Sequence, residues 1–296
     1  MTWVEHPAPS CSENVLLNNG KNMPLVGLGT FRLRGYKEVH CTLDEALALG
    51  YRSFDTASVY RNEADIGLAL VELLPKHGLT RGDIFLTSKL SPAHHGGGAV
   101  DAVKHSLASL RLSYLDLYLV HWPGKQGWRS EDKRNPGVRQ ETWYLLEGLR
   151  QSGELRAIGI SNYTLVHMHD LLSRCRIPPA VLQVEFHPKL WQWQLLEFCQ
   201  THGIHLQAYS SLGTGDLVSD PIVVEVALRC GRSPAQTLLR WAVQQGIGVI
   251  PKSTNVHHLA ENVDIFNFTL SEEDMECLNS LDIHKHYCWD PHTVVR

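Results

Sequence analysis

Polar and ionisable residues keep recurring at one kind of place in this sequence. Asp55, Lys89, His121, Ser161, Asn162, Gln183 and Tyr209 each stand at or beside the end of a short β-rich run. Asp, Lys and His take up or give up protons, and Ser, Asn and Gln hold a partner through hydrogen bonds. Burying a charge without a partner is expensive, so a packed core has no use for an Asp, a Lys and a His there. Taken singly, each reads more simply as a solvated residue at a sheet edge. Taken together on one rim, they read as a site.

Such a rim needs elements to build it. Residues 15–17 and 23–26 form two short strands around Asn18-Asn19-Gly20-Lys21, a hairpin signal. An alternation then begins, with β-rich runs ending at Gly29, Asp55, Lys89, His121, Ser161, Glu185, Tyr209 and Lys252. Between them lie amphipathic stretches such as 63–74 and 100–110. The runs 115–120 and 247–250 are continuously apolar, as strands covered on both faces should be. These signals predict an α/β fold, a single (β/α)₈ TIM barrel with an N-terminal β-hairpin. The competing open sheet would show GxGxxG after its first strand, whereas Gly27-Leu28-Gly29-Thr30-Phe31 lacks the third glycine. The expected organisation is a flexible arm over 1–13 and the barrel over 14–296. Connections 123–139 and 210–221 are the longest, and barrel enzymes build their pockets from such loops.

Composition narrows the classes. The chain has 296 residues, 43% hydrophobic and 20% charged, enough to bury a large core. A net charge of −4 with scattered Lys and Arg gives no footprint for nucleic acid or an anionic membrane. Seven widely spaced cysteines without a CxxC pair fit reduced thiols, and no apolar leader or spanning run is visible. A soluble, cytoplasmic protein is expected. The 17 histidines include His94-His95, His257-His258 and His284 with His286, but no HExxH, so no catalytic metal is expected.

In its ordered motifs the chain resembles the aldo-keto reductase family. Gly50-Tyr51-Arg52-Ser53-Phe54-Asp55-Thr56-Ala57, then Tyr60, Asn62-Glu63 and Gly67, is similar to the family's first signature. Val26–Phe31, Ser88-Lys89-Leu90, 119–123, 159–163, 183–185 and 250–253 follow in family order, so that the likeness runs from about Val15 to Leu281. The resemblance implies a catalytic tetrad of Asp55, Tyr60, Lys89 and His121. Reducing a carbonyl makes an alkoxide that must be stabilised and protonated together. A free phenol has a pKa of about 10, and a neighbouring ammonium is expected to lower it. Asp55 would hold Lys89 in place, and His121 would orient the carbonyl oxygen.

The same likeness implies a nicotinamide nucleotide along the rim, NADPH by preference and NADH more weakly. Its contacts would be Gly29, Thr30, Phe31, Asp55, Ser161, Asn162, Gln183 and Tyr209. Ser210, Ser211, Leu212 and Gly213 would cover the pyrophosphate, and Lys252, Ser253, Thr254, His258, Glu261 and Asn262 would bind the adenosine end. His258 stands where many relatives carry Arg, and imidazole clamps a phosphate less well than guanidinium. Substrate would meet Phe31, Tyr60, His121 and Trp122, with Ser91 in place of a frequent Trp and a short tail after Trp289-Asp290-Pro291. The implied partner is a small carbonyl compound, and the implied state a monomer. A nucleotide-sensing barrel with incidental turnover is the rival from another class, and a metal-dependent barrel hydrolase the third.

Overall fold

In the computed structural model, which describes residues 14–292, the chain opens on the expected hairpin. Strand β1 (Asn14–Leu16) pairs antiparallel with β2 (Asn22–Pro24), and Gly20 takes φ 78° in the turn. That left-handed angle suits glycine, which has no Cβ to clash. The arm expected over 1–13 lies outside the described residues. Leu17 and Met23 pack with Phe85, Ala157 and Val181 at the strands' N-terminal ends. Asn18 Nδ2 donates to Pro179 O and Asn19 Nδ2 to Arg156 O, both at 3.0 Å. The hairpin therefore plugs the floor of the barrel, opposite the polar rim.

The alternation follows as β3 (Leu28–Gly29), α1 (Tyr36–Ala48), β4 (Ser53–Asp55), α2 (Glu63–Lys76), β5 (Phe85–Leu90), α3 (Ala99–Leu110), β6 (Leu115–Val120) and α4 (Asn135–Ser152). It continues with β7 (Leu155–Ser161), α5 (Leu165–Leu172), β8 (Val181–Glu185), α6 (Trp193–Thr201), β9 (His205–Tyr209), α7 (Pro221–Cys230), α8 (Pro234–Gln244), β10 (Gly248–Val249), α9 (Val256–Val263) and α10 (Glu272–Asn279). Strands β3 to β10 form one parallel sheet of eight in sequence order. Closure comes from Gly27 N donating to Val249 O at 2.9 Å, Val249 N to Leu25 O at 2.7 Å and Gly29 N to Pro251 O at 3.1 Å. A Cβ on Gly29 would sit 2.7 Å from Ile250 O, so the seam needs glycine at that point. All six residues of β6 are buried, but the run is not wholly apolar: Asp116 is among them, its Oδ2 accepting from Arg81 at 2.6 Å and from Leu86 N at 3.0 Å.

The connection expected over 123–139 is shorter than its composition suggests. Asn135-Pro136-Gly137 looks like a turn, yet it opens α4. Proline suits the first helical turn, where its missing N–H has no partner to lose. Val138, Trp143, Leu146 and Leu149 then bury one stripe against the barrel. After β9 the chain makes two short 3₁₀ turns before Asp220 and Pro221 start α7, leaving 210–220 as a loop over the rim.

Candidate active site

Asp55 ends β4, with Thr30 N and Thr30 Oγ1 both donating to its carbonyl at 3.0 and 2.9 Å. Its Oδ1 accepts from Lys89 Nζ, on β5, at 2.5 Å. Both side chains are almost fully buried, which such a pair tolerates only with further hydrogen bonds. Those exist: Lys89 Nζ also donates to Thr56 O at 3.0 Å, and Asp55 Oδ2 accepts from Gln183 Nε2 at 2.8 Å. Lys89 Nζ reaches Tyr60 Oη at 3.4 Å.

Tyr60 is carried by a 3₁₀ turn, Ser58–Tyr60, between β4 and α2. Arg61 leaves that turn with φ 59°, and Asn62 is buried beneath it. Asn62 Oδ1 accepts from Thr56 Oγ1 at 2.7 Å, and its Nδ2 donates to Thr30 O at 2.9 Å. Ser58 Oγ donates to Lys89 O at 3.0 Å. The loop bearing the phenol is thus tied to three strands. His121 follows β6 and meets the Tyr60 ring edge-on, with centroids 5.8 Å apart. Asn162 Nδ2 donates to His121 O at 2.9 Å, and Tyr209 Oη donates to Asn162 Oδ1 at 2.7 Å. Asp55, Tyr60, Lys89, His121, Asn162, Gln183 and Tyr209 therefore belong to one connected rim.

Electrostatics sharpen the picture. Burial pushes the Tyr60 phenol above 10, and the Lys89 charge opposes this without overcoming it. The expected lowering by Lys89 is present as a contribution, but desolvation decides the net direction. Burial would deprotonate Lys89, yet the carboxylate of Asp55 and the Tyr60 oxygen hold its affinity for a proton above the ordinary value. Burial, then the Lys89 charge, depress His121 well below 6.5, so the ring is neutral and carries a single N–H.

Apolar walls surround these groups. Phe31, 51% exposed, packs on Tyr60 with centroids 5.1 Å apart. Trp122 is buried, and Trp289, 53% exposed, lies 6.2 Å from it. Ser91, expected to leave an opening, is buried and caps its own turn by accepting from Ala93 N. The tail carrying Trp289 is fastened by Glu185, at the end of β8. That carboxylate accepts from Tyr287 N at 2.7 Å and contacts His187 Nε2 and His286 Nδ1, each at 3.1 Å. These hydrogen bonds outweigh its burial and hold it at about 2. Sequence reasoning singled out neither Gln207 nor this clasp, because their partners come from other strands or from about 100 residues away.

The groups expected to hold a nucleotide line the same face. Ser210 takes φ 53° and Asn162 φ 62°, rare for residues with a Cβ, and Ser211 Oγ is buried without a partner. Gly213 at φ 58° leaves no room for a Cβ, which would meet Leu217 at 2.6 Å and Tyr287 at 2.8 Å. Beyond β10, Lys252, Thr254, His258 and Glu261 are exposed, while Ser253 and Asn262 are buried. Ser253 Oγ accepts from Asn255 N at 3.0 Å. Leu212 is half-buried behind the loop. Among the described residues, no group of three His, Cys, Asp or Glu is arranged to hold a metal ion.

An eight-stranded α/β barrel with a buried Lys–Asp pair, a Tyr and a His on its C-terminal rim is the class of protein that fold and site define. A model of the Aldo/keto reductase family matches residues 25–283, and the chain belongs to that family of oxidoreductases. It is 40% identical to the glyoxal reductase of Bacillus subtilis (strain 168), across 92% of this chain and 94% of the relative. It is also 40% identical to human aldo-keto reductase family 1 member A1, across 95% and 91%. Among solved structures, the aldose reductase from Schistosoma japonicum superposes with a TM-score of 0.85 at 38% identity, covering 93% of this chain and 94% of that one.

Proposed function

We propose that this chain reduces aldehydes and ketones to alcohols with NADPH, Tyr60 giving the proton. One observation carries the reading: Asp55, Lys89 and Tyr60 form a continuous chain of contacts that ends on a phenol beside a neutral imidazole. The bound dihydronicotinamide would supply hydride to the carbonyl carbon. Everything else falls to the protein. His121 donates its one N–H to the carbonyl oxygen and fixes its direction. Tyr60 protonates that oxygen as charge develops, and Lys89 stabilises the phenolate left behind. Because burial raises the phenol's pKa, Tyr60 is fully loaded for reduction at neutral pH, whereas alcohol oxidation needs a more alkaline solution.

The rim fits the cofactor. Ser161, Asn162 and Gln183 would hold the carboxamide, with Tyr209 against the ring. Gly29, Thr30, Phe31 and Asp55 would border it, and the unpartnered Ser211 hydroxyl suits an anionic pyrophosphate under Ser210, Leu212 and Gly213. Lys252 and Ser253 would meet a 2′-phosphate, supported by Thr254, His258, Glu261 and Asn262. With imidazole rather than guanidinium at 258, NADH remains a weaker alternative. Phe31, Tyr60, His121 and Trp122 would surround small and medium aldehydes, including α-ketoaldehydes and aromatic aldehydes. We place the protein in the cytoplasm as a monomer with a barrel domain over 14–296. Six cysteines among the described residues are free, and no described helix is long and apolar enough to cross a membrane.

A panel of carbonyl compounds assayed with NADPH and NADH tests the reading, beside Tyr60→Phe. Losing the proton donor while keeping the ring should lower kcat by ~10²–10⁴ and leave NADPH affinity almost unchanged. Near wild-type turnover would remove Tyr60 from this role. Tight NADPH binding with no turnover of any carbonyl would point instead to a sensor.

A further inference from the structure

Strands β8 and β9 pair in a register that sets Gln183 opposite Gln207, both deep in the barrel at 2% and 1% exposure. Gln183 Nε2 donates to Asp55 Oδ2 and to Gln207 Oε1, each at 2.8 Å. We propose that Gln207 is a positioning residue: together with Asp55, which sets the sense of the Gln183 amide, it pins that amide in place and so holds the nicotinamide carboxamide one way round. The inference rests on the reading above, in which that carboxamide lies against Gln183.

The orientation of the Gln183 amide follows from its neighbours. Asp55, paired with Lys89, is a carboxylate and only accepts, so the amide end facing it must be the nitrogen. Nε2 has two hydrogens, and Asp55 and Gln207 use both. Among the described residues no donor reaches Oε1, so Gln183 can meet a ligand only as an acceptor. Its neighbour across β7 and β8 is Ser161, whose Oγ already accepts from Asn162 Nδ2 at 3.2 Å. The Ser161 hydroxyl therefore has its hydrogen to give. An acceptor at 183 and a donor at 161 match a carboxamide in one sense: its NH₂ to Gln183 and its C=O to Ser161. Without the Gln207 acceptor, one N–H of Gln183 loses its partner and a single hydrogen bond leaves the amide free to swing.

NADPH and its reduced 3-acetylpyridine analogue, which keeps the carbonyl but has a methyl in place of NH₂, are the probes. Binding is read by quenching of tryptophan fluorescence. The wild type should bind the analogue about three- to tenfold more weakly, the worth of one neutral hydrogen bond. Gln207→Met, similar in length but without an acceptor, should erase most of that difference by weakening NADPH alone, and raise KM for NADPH more than it lowers kcat. Gln207→Glu keeps an acceptor oxygen at the same reach and should restore the difference. Gln183→Met should abolish it and make Gln207→Met silent in that background. If Gln207→Met does not fold, Gln207→Thr, too short to reach Gln183, carries the same expectation. Discrimination lost in Gln183→Met but intact in the Gln207 variants overturns the proposal and leaves the carboxamide reading standing. Equal weakening of both probes would mean that Gln207 only packs, and so overturns it too. Equal binding of both probes by wild type and Gln183→Met would instead remove the carboxamide from Gln183, and the proposal with it.

Discussion

At the scale of single residues, the Lys89 ammonium serves two neighbours at once, the Asp55 carboxylate and the Tyr60 phenol, and its removal separates their effects. Lys89→Met leaves the Asp55 carboxylate buried with only Gln183 to donate to it. Breaking one side of a buried pair destabilises by about 3–5 kcal/mol. The same change removes the charge that opposes burial at Tyr60, so the phenol keeps its proton to still higher pH. Reduction stops when that proton is lost, so the alkaline limb of the pH–rate profile should move upward while the rate at neutral pH falls by ~10²-fold or more. Adding Asp55→Asn should recover stability without recovering activity. Melting curves and pH–rate profiles of both variants check this, and an unmoved alkaline limb would show that Lys89 does not act on the phenol. Asp55, Lys89 and His121 stood out in the sequence because their types are costly at the end of a buried strand. Tyr60 did not, since it sits on a turn and only the motif spacing marks it. Nor could spacing reveal that desolvation outweighs Lys89, because that balance depends on how the loop packs.

At the scale of elements, the alternation of strands and helices is written in hydrophobic periodicity and was legible, although the start of α4 at Asn135 was hidden by a turn-like Asn-Pro-Gly. Long-range fastening was not. The tail 284–290 has no periodicity, and what secures it lies far back in the chain: Glu185 on β8, about 100 residues earlier, and Asp216, which accepts from Tyr287 Oη at 2.6 Å and Lys285 Nζ at 3.3 Å. The clasp has a defined pH window. Its hydrogen bonds with His187, His286 and the Tyr287 amide hold Glu185 at about 2, so its contribution is present above the usual carboxylate range and lost on strong acidification. His286 faces Glu185 and, at 3.8 Å, Asp290, and is raised above 6.5 chiefly by its hydrogen bond to Glu185. Its contribution is complete below 6.5 and fades as pH rises through the higher folded value. Tryptic cleavage after the exposed Lys285, corrected for trypsin's own pH response, should therefore be faster at pH 8.5 than at pH 6.5. Glu185→Gln should raise the rate at pH 6.5 by about tenfold and flatten the difference, because local opening rather than global unfolding admits the protease. A pH-independent rate in the wild type would show that the His286 contact does not secure the tail.

At the scale of the whole molecule, the interior carries neutral imidazoles that the fold does not pay to ionise. Burial holds His95, His167 and His205 at about 4, and pushes His121 well below its ordinary value of 6.5. Each lies below its unfolded value of 6.5, so between about 4 and 6.5 the unfolded chain binds more protons than the native one. Stability must therefore fall as pH drops through that range, before the carboxylates held at about 2, Glu185 and Asp132, begin to protonate. His205 isolates the effect. It begins β9 inside the barrel, its Nε2 is buried without a partner, and it packs so close to Gly248 that a Cβ there would lie 2.8 Å from that nitrogen. At about 1.36 kcal/mol per pH unit, keeping it neutral at pH 5 costs about 2 kcal/mol relative to the unfolded chain. His205→Leu, of similar volume and with no polar atom to leave unsatisfied, removes that cost. It should raise Tm by a few degrees more at pH 5 than at pH 8. Thermal melts of the two proteins at both pH values decide the point: an equal rise at pH 5 and pH 8 would mean that the gain comes from packing and the lost orphan nitrogen, and that the acid sensitivity of this barrel lies in its other histidines.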